Sequence, residues 1–372
     1  MRRPLLYLFT MLLSLSVFIF GLSASSAQDE TAEPIAESTT ETAATAEATF
    51  NVTAEPTVPY EPLPEAYSVD WNSDGSMIAV GTEDGIFLYA TSDLTLPPVQ
   101  MFEGYSVTSV VFHPTEENWL AVNPTADEAI VSVIDLENGL SVFETNTIVD
   151  EYTDVSFSAD GTLLIAVAGG VPVIYPINAI DQPRLLYAPE PTGFSLFAIS
   201  PNVEQITAAQ GSDLYIDYFD AAEEEISRFA LVEIEDELTA IAFSPESDVV
   251  IVGDERGSLR KWSLPDLTYT SFIRGERSPN SNRINDLEFA TKQPLFYTAE
   301  GDPLATVRVF QVQAINAKDA FGFPSSTATD ALDLALNPDE TQIAVLLNDN
   351  TVYVMNLADK TRVARLALPP LE

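Results

Sequence analysis

Cysteine is absent from this 372-residue chain, and histidine occurs once, at His113. No disulfide can brace the fold and no thiol can act as a nucleophile. A zinc site of the usual kind draws on several Cys or His and has no ligand set here. A lone histidine also makes no Ser–His–Asp triad unless the fold carries Ser and Asp to it. His113 occupies a turn position that sister segments fill with Ser or Asn, so it reads as a turn residue. Basic residues are scarce: 16 stand against 57 acidic ones, for a net charge of −41. Such a chain is repelled by nucleic-acid phosphates and by anionic membrane surfaces, which excludes nucleic acid as a partner. Neither a phosphate-cradling glycine loop nor a calcium loop of the form D-x-[DN]-x-[DN]-G occurs. The carboxylates read as a solubilising shell. No cofactor is expected, and a loosely held divalent cation such as calcium is the one ligand this composition would accommodate.

The N-terminus carries an export pattern. Arg2 and Arg3 precede an uncharged apolar run from Leu5 to Leu22, and Ser25-Ser26-Ala27 offers a small-residue cleavage site. The run is long for a cleaved signal and just long enough to span a bilayer, so an uncleaved anchor is the alternative and the only route to a membrane. Both place the bulk outside the cytoplasm, secreted or in the cell envelope. Residues 1–27 are therefore read as a signal peptide. Residues 28–64, rich in Thr, Ala, Glu and Pro, are read as a disordered tether, because they hold too few large apolar side chains to offset ordering entropy.

From residue 65 to 372 one pattern returns seven times: an apolar strand, a polar turn, a second apolar strand, a turn and a third strand. An anchor closes the first strand of each unit, at Trp71, Phe112, Phe157, Ile199, Phe243, Phe289 and Leu336. The gaps run from 41 to 47 residues, the length of a four-stranded propeller blade. Short β-branched bursts such as VVIVG and QIAVLL, bounded by turn residues, fit strands and not helices. The turns repeat too, as Asn72-Ser73-Asp74-Gly75, His113-Pro114, Ser158-Ala159-Asp160-Gly161, Ser200-Pro201, Ser244-Pro245 and Asn337-Pro338. Ser, Asn and Asp bond back to nearby backbone, Pro presets φ, and Gly accepts positive φ. The expected fold is all-β: a seven-bladed β-propeller of four-stranded antiparallel blades. Trp71, Trp119 and Trp262 fall at strand positions and read as core.

The fifth unit, Phe243 to Leu264, resembles the WD-repeat β-propeller family, and the resemblance extends over about residues 65–372. Where that family closes its third strand with Trp-Asp, this chain reads Trp262-Ser263, Ile134-Asp135, Tyr175-Pro176, Phe310-Gln311 and Met355-Asn356. The family's Gly-His opening is absent throughout. The resemblance thus implies a degenerate, WD-like propeller without the usual Trp-Ser-His-Asp hydrogen-bond network, stiffened by packing alone. Blades 1 and 7 each hold four strands of their own, so the ring is expected to close by packing, without strand exchange.

Six of the 16 basic residues lie between Arg256 and Arg283. Arg256 falls on a turn between a second and a third strand; Arg274, Arg277 and Arg283 fall on or beside the link to the next blade. Both elements emerge on one rim, where guanidinium groups could grip carboxylate or sulfate groups of a partner. Arg256, Arg274, Arg277 and Arg283 are the candidate partner-binding residues; pairing with Asp254, Glu255 and Glu276 is the competing role. The densest acidic run, Glu223 to Glu225 and then Glu233, Glu235, Asp236 and Glu237, reads as a solvated face. The function that follows is non-catalytic binding or scaffolding outside the cytoplasm by a monomer whose rim loops recognise protein or glycan. The alternative is a propeller hydrolase, lactonase-like or glycan-cleaving, with carboxylates or a metal at the central channel. The scarcity of histidine and the absence of cysteine argue against it.

Overall fold

The computed structural model describes residues 63–125, 130–145, 152–168, 171–177, 193–220, 225–264, 266–272, 283–301, 304–313, 317–323, 328–366 and 368–370. The export segment and the tether lie outside the described residues, apart from residues 63 and 64. All described residues belong to one compact unit, Ala54–Glu372. Among them every regular element is a strand, and the strands form seven separate antiparallel sheets. Blade 1 comprises β1 (Ala66–Trp71), β2 (Met77–Thr82), β3 (Gly85–Ala90) and β4 (Val99–Met101). Blade 2 comprises β5 (Ser106–Phe112), β6 (Trp119–Thr125), β7 (Ser132–Asp135) and β8 (Leu140–Glu144). Blade 3 shows β9 (Tyr152–Phe157), β10 (Leu163–Ala168) and β11 (Val171–Pro176), and the residues of its expected outer strand lie outside the described set. Blade 4 comprises β12 (Leu196–Ile199), β13 (Gln205–Gln210), β14 (Asp213–Asp220) and β15 (Glu225–Glu233). Blade 5 comprises β16 (Leu238–Phe243), β17 (Val249–Asp254), β18 (Leu259–Ser263) and β19 (Thr268–Phe272). Blade 6 comprises β20 (Ile284–Phe289), β21 (Leu295–Glu300), β22 (Thr306–Gln311) and β23 (Ala317–Gly322). Blade 7 comprises β24 (Ala331–Leu336), β25 (Gln342–Leu347), β26 (Val352–Asn356) and β27 (Arg362–Leu366). Within each sheet the strands pair in chain order, so every blade is a simple meander. Each anchor residue ends or adjoins the end of its blade's first strand.

The core is divided among the junctions. Seven buried apolar clusters occur, one between each blade and the next, including blade 7 with blade 1. Period-two alternation explains this. On β17, Val250 and Val252 pack into the cluster with blade 4, while Val249 and Ile251 pack into the cluster with blade 6. A second strand must be apolar on both faces, which is why VVIVG and QIAVLL read as unbroken runs. The closing cluster joins Trp71, Ile78, Val80 and Phe87 of blade 1 to Ala344, Leu346, Val352 and Val354 of blade 7. Both blades are built from consecutive strands, so among the described residues the ring closes by packing without strand exchange, as expected; the segment Thr49–Thr53, the alternative source of an edge strand, lies outside them. Trp71 and Trp262 are buried in these clusters, and Trp119 packs at the edge of one.

The turn after each anchor is held by one polar side chain. Asn72, Ser158, Ser200, Ser244 and Asn337 each accept, at 2.8–3.0 Å, the backbone N–H five residues on, where the second strand begins. His113 does the same task differently. Its Nδ1 accepts from the N–H of Glu116 at 2.9 Å, its Nε2 meets the Gly161 carbonyl of blade 3 at 2.9 Å, and it packs edge-on to Trp119 and Phe157. It is buried, and its bonds fit a neutral ring protonated at Nε2. The fourth turn residue is left-handed in five blades: Gly75, Gly161, Val203, Ser247 and Glu340 have φ between 54° and 75°. At Gly161 a Cβ would lie 2.2 Å from the His113 ring; at Gly75 the nearest atom, on Pro338, is 3.5 Å away. Gly161→Ala and Gly75→Ala therefore share a backbone cost of roughly 1–2 kcal/mol, and only the first displaces His113. Urea unfolding should show the Gly161 variant to be clearly the less stable of the two; equal losses would refute the contact.

Candidate functional site

On the rim, Arg256 sits in the β17–β18 turn with its side chain 65 % exposed, and Arg283 is exposed just before β20. The two segments adjoin. Thr239 of β16 donates to the Ile284 carbonyl at 2.5 Å, and a Cβ on Gly253 would overlap the Ile284 side chain. Leu304, 67 % exposed, lies in the β21–β22 turn of the neighbouring blade on the same rim. Arg274 and Arg277 lie outside the described residues. Arg256 is not bare: its Nη1 lies 3.0 Å from Asp236 Oδ1, and its Nε 4.0 Å from Glu255. Asp236 also reaches Arg260 at 3.8 Å, and Arg260 bonds the fully buried Asp254. Asp254 accepts in addition from the N–H groups of Arg256 and Ser258, which shapes the turn that presents Arg256. Asp236 departs from the solvated-face reading of its acidic run. It is buried, because the β15–β16 link folds it onto Arg260.

A matching pair occurs in blade 6. Glu300, fully buried at the end of β21, accepts from Arg308 Nε at 2.9 Å and from the Thr298 hydroxyl at 2.7 Å. These Arg–carboxylate pairs overturn the expectation that packing alone stiffens the blades. A carboxylate at the end of a second strand must be neutralised once buried, and an Arg on the third strand does so.

The inner edge holds what sequence reasoning passed over. The first strand of each blade has one edge without a strand partner, so alternate N–H groups there need acceptors. In blade 6, Asp286 accepts from the Leu334 N–H of blade 7 at 3.2 Å, and Glu288 from the Leu336 N–H at 2.8 Å. In blade 7, Asp333 accepts from the Val69 N–H of blade 1 at 2.8 Å. In blade 1, Asp70 accepts from the Phe112 N–H of blade 2 at 2.7 Å, and Ser68 Oγ lies 3.3 Å from the Val110 nitrogen. The register is constant. The residue three before the anchor serves the N–H two before the next anchor, and the residue one before the anchor serves the next anchor itself. Burial pushes all four carboxyls up: Asp70 to about 7, Asp286 above its usual range, and Glu288 and Asp333 well above theirs. Mutual repulsion adds to this at Glu288 and Asp333, and the Asp286 and Asp333 carboxyls hydrogen-bond to each other. Period-two counting back from each anchor would have found all four in the sequence.

A third set of bonds ties the opposite face. Asn72 donates to the Glu117 carbonyl at 3.1 Å, and Ser247 accepts from the Asn202 N–H at 3.1 Å. Glu340 Oε1 takes the N–H groups of Thr291 and Lys292 at 2.5 and 2.6 Å. Blade 6 has Ala290 where the other blades have Ser, Asn or, in blade 2, His113, so its turn is capped by its neighbour instead. Among the described residues no group of three or more His, Asp or Glu is placed to hold a metal ion. No family model and no curated protein matches the chain.

The two Arg positions should differ sharply on substitution. Arg308→Ala removes a cation bonded to a buried carboxylate and should cost about 3 kcal/mol, whereas Arg256→Ala, at an exposed pair, should cost less than about 1 kcal/mol. Chemical denaturation of both variants measures the difference; similar losses would mean that the Glu300 pair is not structural.

Proposed function

We propose that this protein is a non-catalytic, WD-like propeller that acts outside the cytoplasm as a binding or scaffold module, engaging a protein or glycan through its rim loops. A propeller fold accommodates such a role, though fold by itself assigns no task. The observation that carries the reading is the rim at blades 5 and 6. There Arg256 is held by Asp236 yet stays 65 % exposed, on the same rim as exposed Arg283 and, in the next blade's turn, exposed Leu304. A rim that presents a held guanidinium and, one blade on, an exposed apolar side chain suits a partner that brings a carboxylate or sulfate group on a nonpolar frame. Arg274 and Arg277 belong to the same proposal by their place in the sequence.

The hydrolase alternative draws on the inner-edge carboxyls. Each of the four, however, already accepts a backbone N–H from the next blade, a structural duty that a general acid or base would have to share.

The test is retention. The full chain, immobilised, is exposed to secreted protein and glycan from its native source, and the eluate is identified. Substituting Ser for Arg256, Arg277 and Arg283 together should lower retention of the bound component at least tenfold, with the unfolding midpoint little changed. Undiminished retention by the triple variant would end the rim assignment.

A further inference from the structure

We propose that the inner-edge carboxyls of blades 6, 7 and 1 form a proton-dependent latch across the seam where the ring closes, so that the propeller is held most firmly in mildly acidic surroundings and loosens as the medium turns alkaline. The location is the first argument. Side-chain carboxylates cross the inner edge at three consecutive junctions, 6 to 7, 7 to 1 and 1 to 2. The middle one joins the last blade to the first. Elsewhere the positions one residue before the anchor are Val111, Ser156, Ala198 and Ala242, and those three before it are Ser109, Asp154, Leu196 and Ala240, so among the blades away from the seam the sequence places one acid in this register, Asp154, whose side chain lies outside the described set.

The second argument is the absence of a neutralising partner among the described residues of the neighbouring strands. The groups that bear on the latch are Asp286 and Glu288 on β20, Asp333 on β24, Asp70 on β1, Tyr297 on β21 and Glu340 in the β24–β25 turn. The other strands packed against them, β2, β5, β16, β17 and β25, contain no Lys, Arg or His, and the one acid among them, Asp254 at the end of β17, is held by Arg260. The charged residue at the end of β21, Glu300, is already held by Arg308 and Thr298. Tyr297 is itself pushed up by burial and then by Glu340 and Glu288. Glu288 thus feels the charges of Asp286, Asp333 and Asp70, with no cation on the described neighbouring strands to offset them, and the Asp286–Asp333 hydrogen bond requires that one of that pair keep its proton.

The direction follows from linkage. Folding raises the affinity of these carboxyls for protons, so the folded state keeps protons that the unfolded chain releases near pH 4. Their stabilising contribution is complete below that pH and is lost as pH climbs through the folded-state values, about 7 for Asp70. Once the pair is fully ionised, Asp286 and Asp333 repel across the 6–7 junction while Asp333 still holds Val69 at the seam. The surface charge of a −41 chain acts in the same sense, but salt screens it; the enclosed cluster is screened far less.

Thermal unfolding of the full chain in 0.5 M NaCl, from pH 4.5 to 8.5, separates the two. The wild-type midpoint should fall by about 5 °C or more between pH 5 and 8. The Asp286→Asn/Asp333→Asn double variant should lose at least half of that slope and be the more stable protein at pH 8, since Asn still offers an acceptor oxygen to Val69 and Leu334. Glu246→Gln, on an exposed turn, should leave the slope unchanged. Should the double variant fail to fold, Asp70→Asn provides the same comparison. Infrared spectra of the wild type should also show a protonated carboxyl band at pH 6 that fades by pH 8.5. A wild-type midpoint that is flat or rises over this range would overturn the latch. So would a slope that survives in the variants, or a missing band at pH 6.

Discussion

The structure depends on the unpaired edge of each blade's first strand. A four-stranded meander satisfies its internal ladders, but its innermost strand turns one row of N–H groups toward the axis, where no further strand can fit. This chain answers with side chains from the preceding blade, placed one and three residues before the anchor. The apolar clusters press neighbouring blades together but are weakly directional. A bond from Asp333 to the Val69 N–H, or from Glu288 to the Leu336 N–H, fixes how far one sheet slides along the next. Packing supplies most of the cohesion, and the inner-edge and turn-face bonds supply the register.

Polar side chains also tie strand to strand within and between the blades. Asp254 with Arg260, and Glu300 with Arg308, join the end of a second strand to the third strand of the same blade. Ala290 cannot cap its own turn, and Glu340 of the following blade supplies the acceptor. His113 takes the place of a Ser or Asn and uses its second nitrogen to reach blade 3. Each of these bonds crosses from one strand or blade to another.

Much of the architecture was legible because it repeats. Anchors, turn residues and doubly apolar second strands recur with a fixed period, and each recurrence supports the others. The candidate site was less legible because it lies in what differs between repeats. Asp70, Asp286, Glu288 and Asp333 occupy positions that are Ser, Ala, Val or Leu in most other blades, so a reading that averages over units removes them. Their closeness also depends on blade 7 lying beside blade 1, which a linear reading does not weigh. Asp236 misled for another reason. Inside a run of acids it looks solvated, and only the fold of the β15–β16 link shows it buried against Arg260. Arg256 was legible as a rim residue from its turn, while its partner Asp236, more than one strand away in sequence, was not.

The charge distribution narrows the kind of partner the rim can hold. A body of net charge −41 repels a polyanion at distances up to a Debye length, about 8–10 Å at physiological salt. Close contact at Arg256 must in addition compete with Asp236, which already holds that guanidinium at 3.0 Å. A highly charged anionic partner thus meets repulsion on approach and competition on arrival. A partner that is neutral overall, with one carboxylate or sulfate beside a nonpolar surface, meets only the competition, and burying Leu304 helps to offset it. Binding of that kind would be short-range and set by shape, with weak dependence on long-range steering. The acidity that disfavours approach by any polyanion therefore also sets a limit on which anions the proposed rim site would accept.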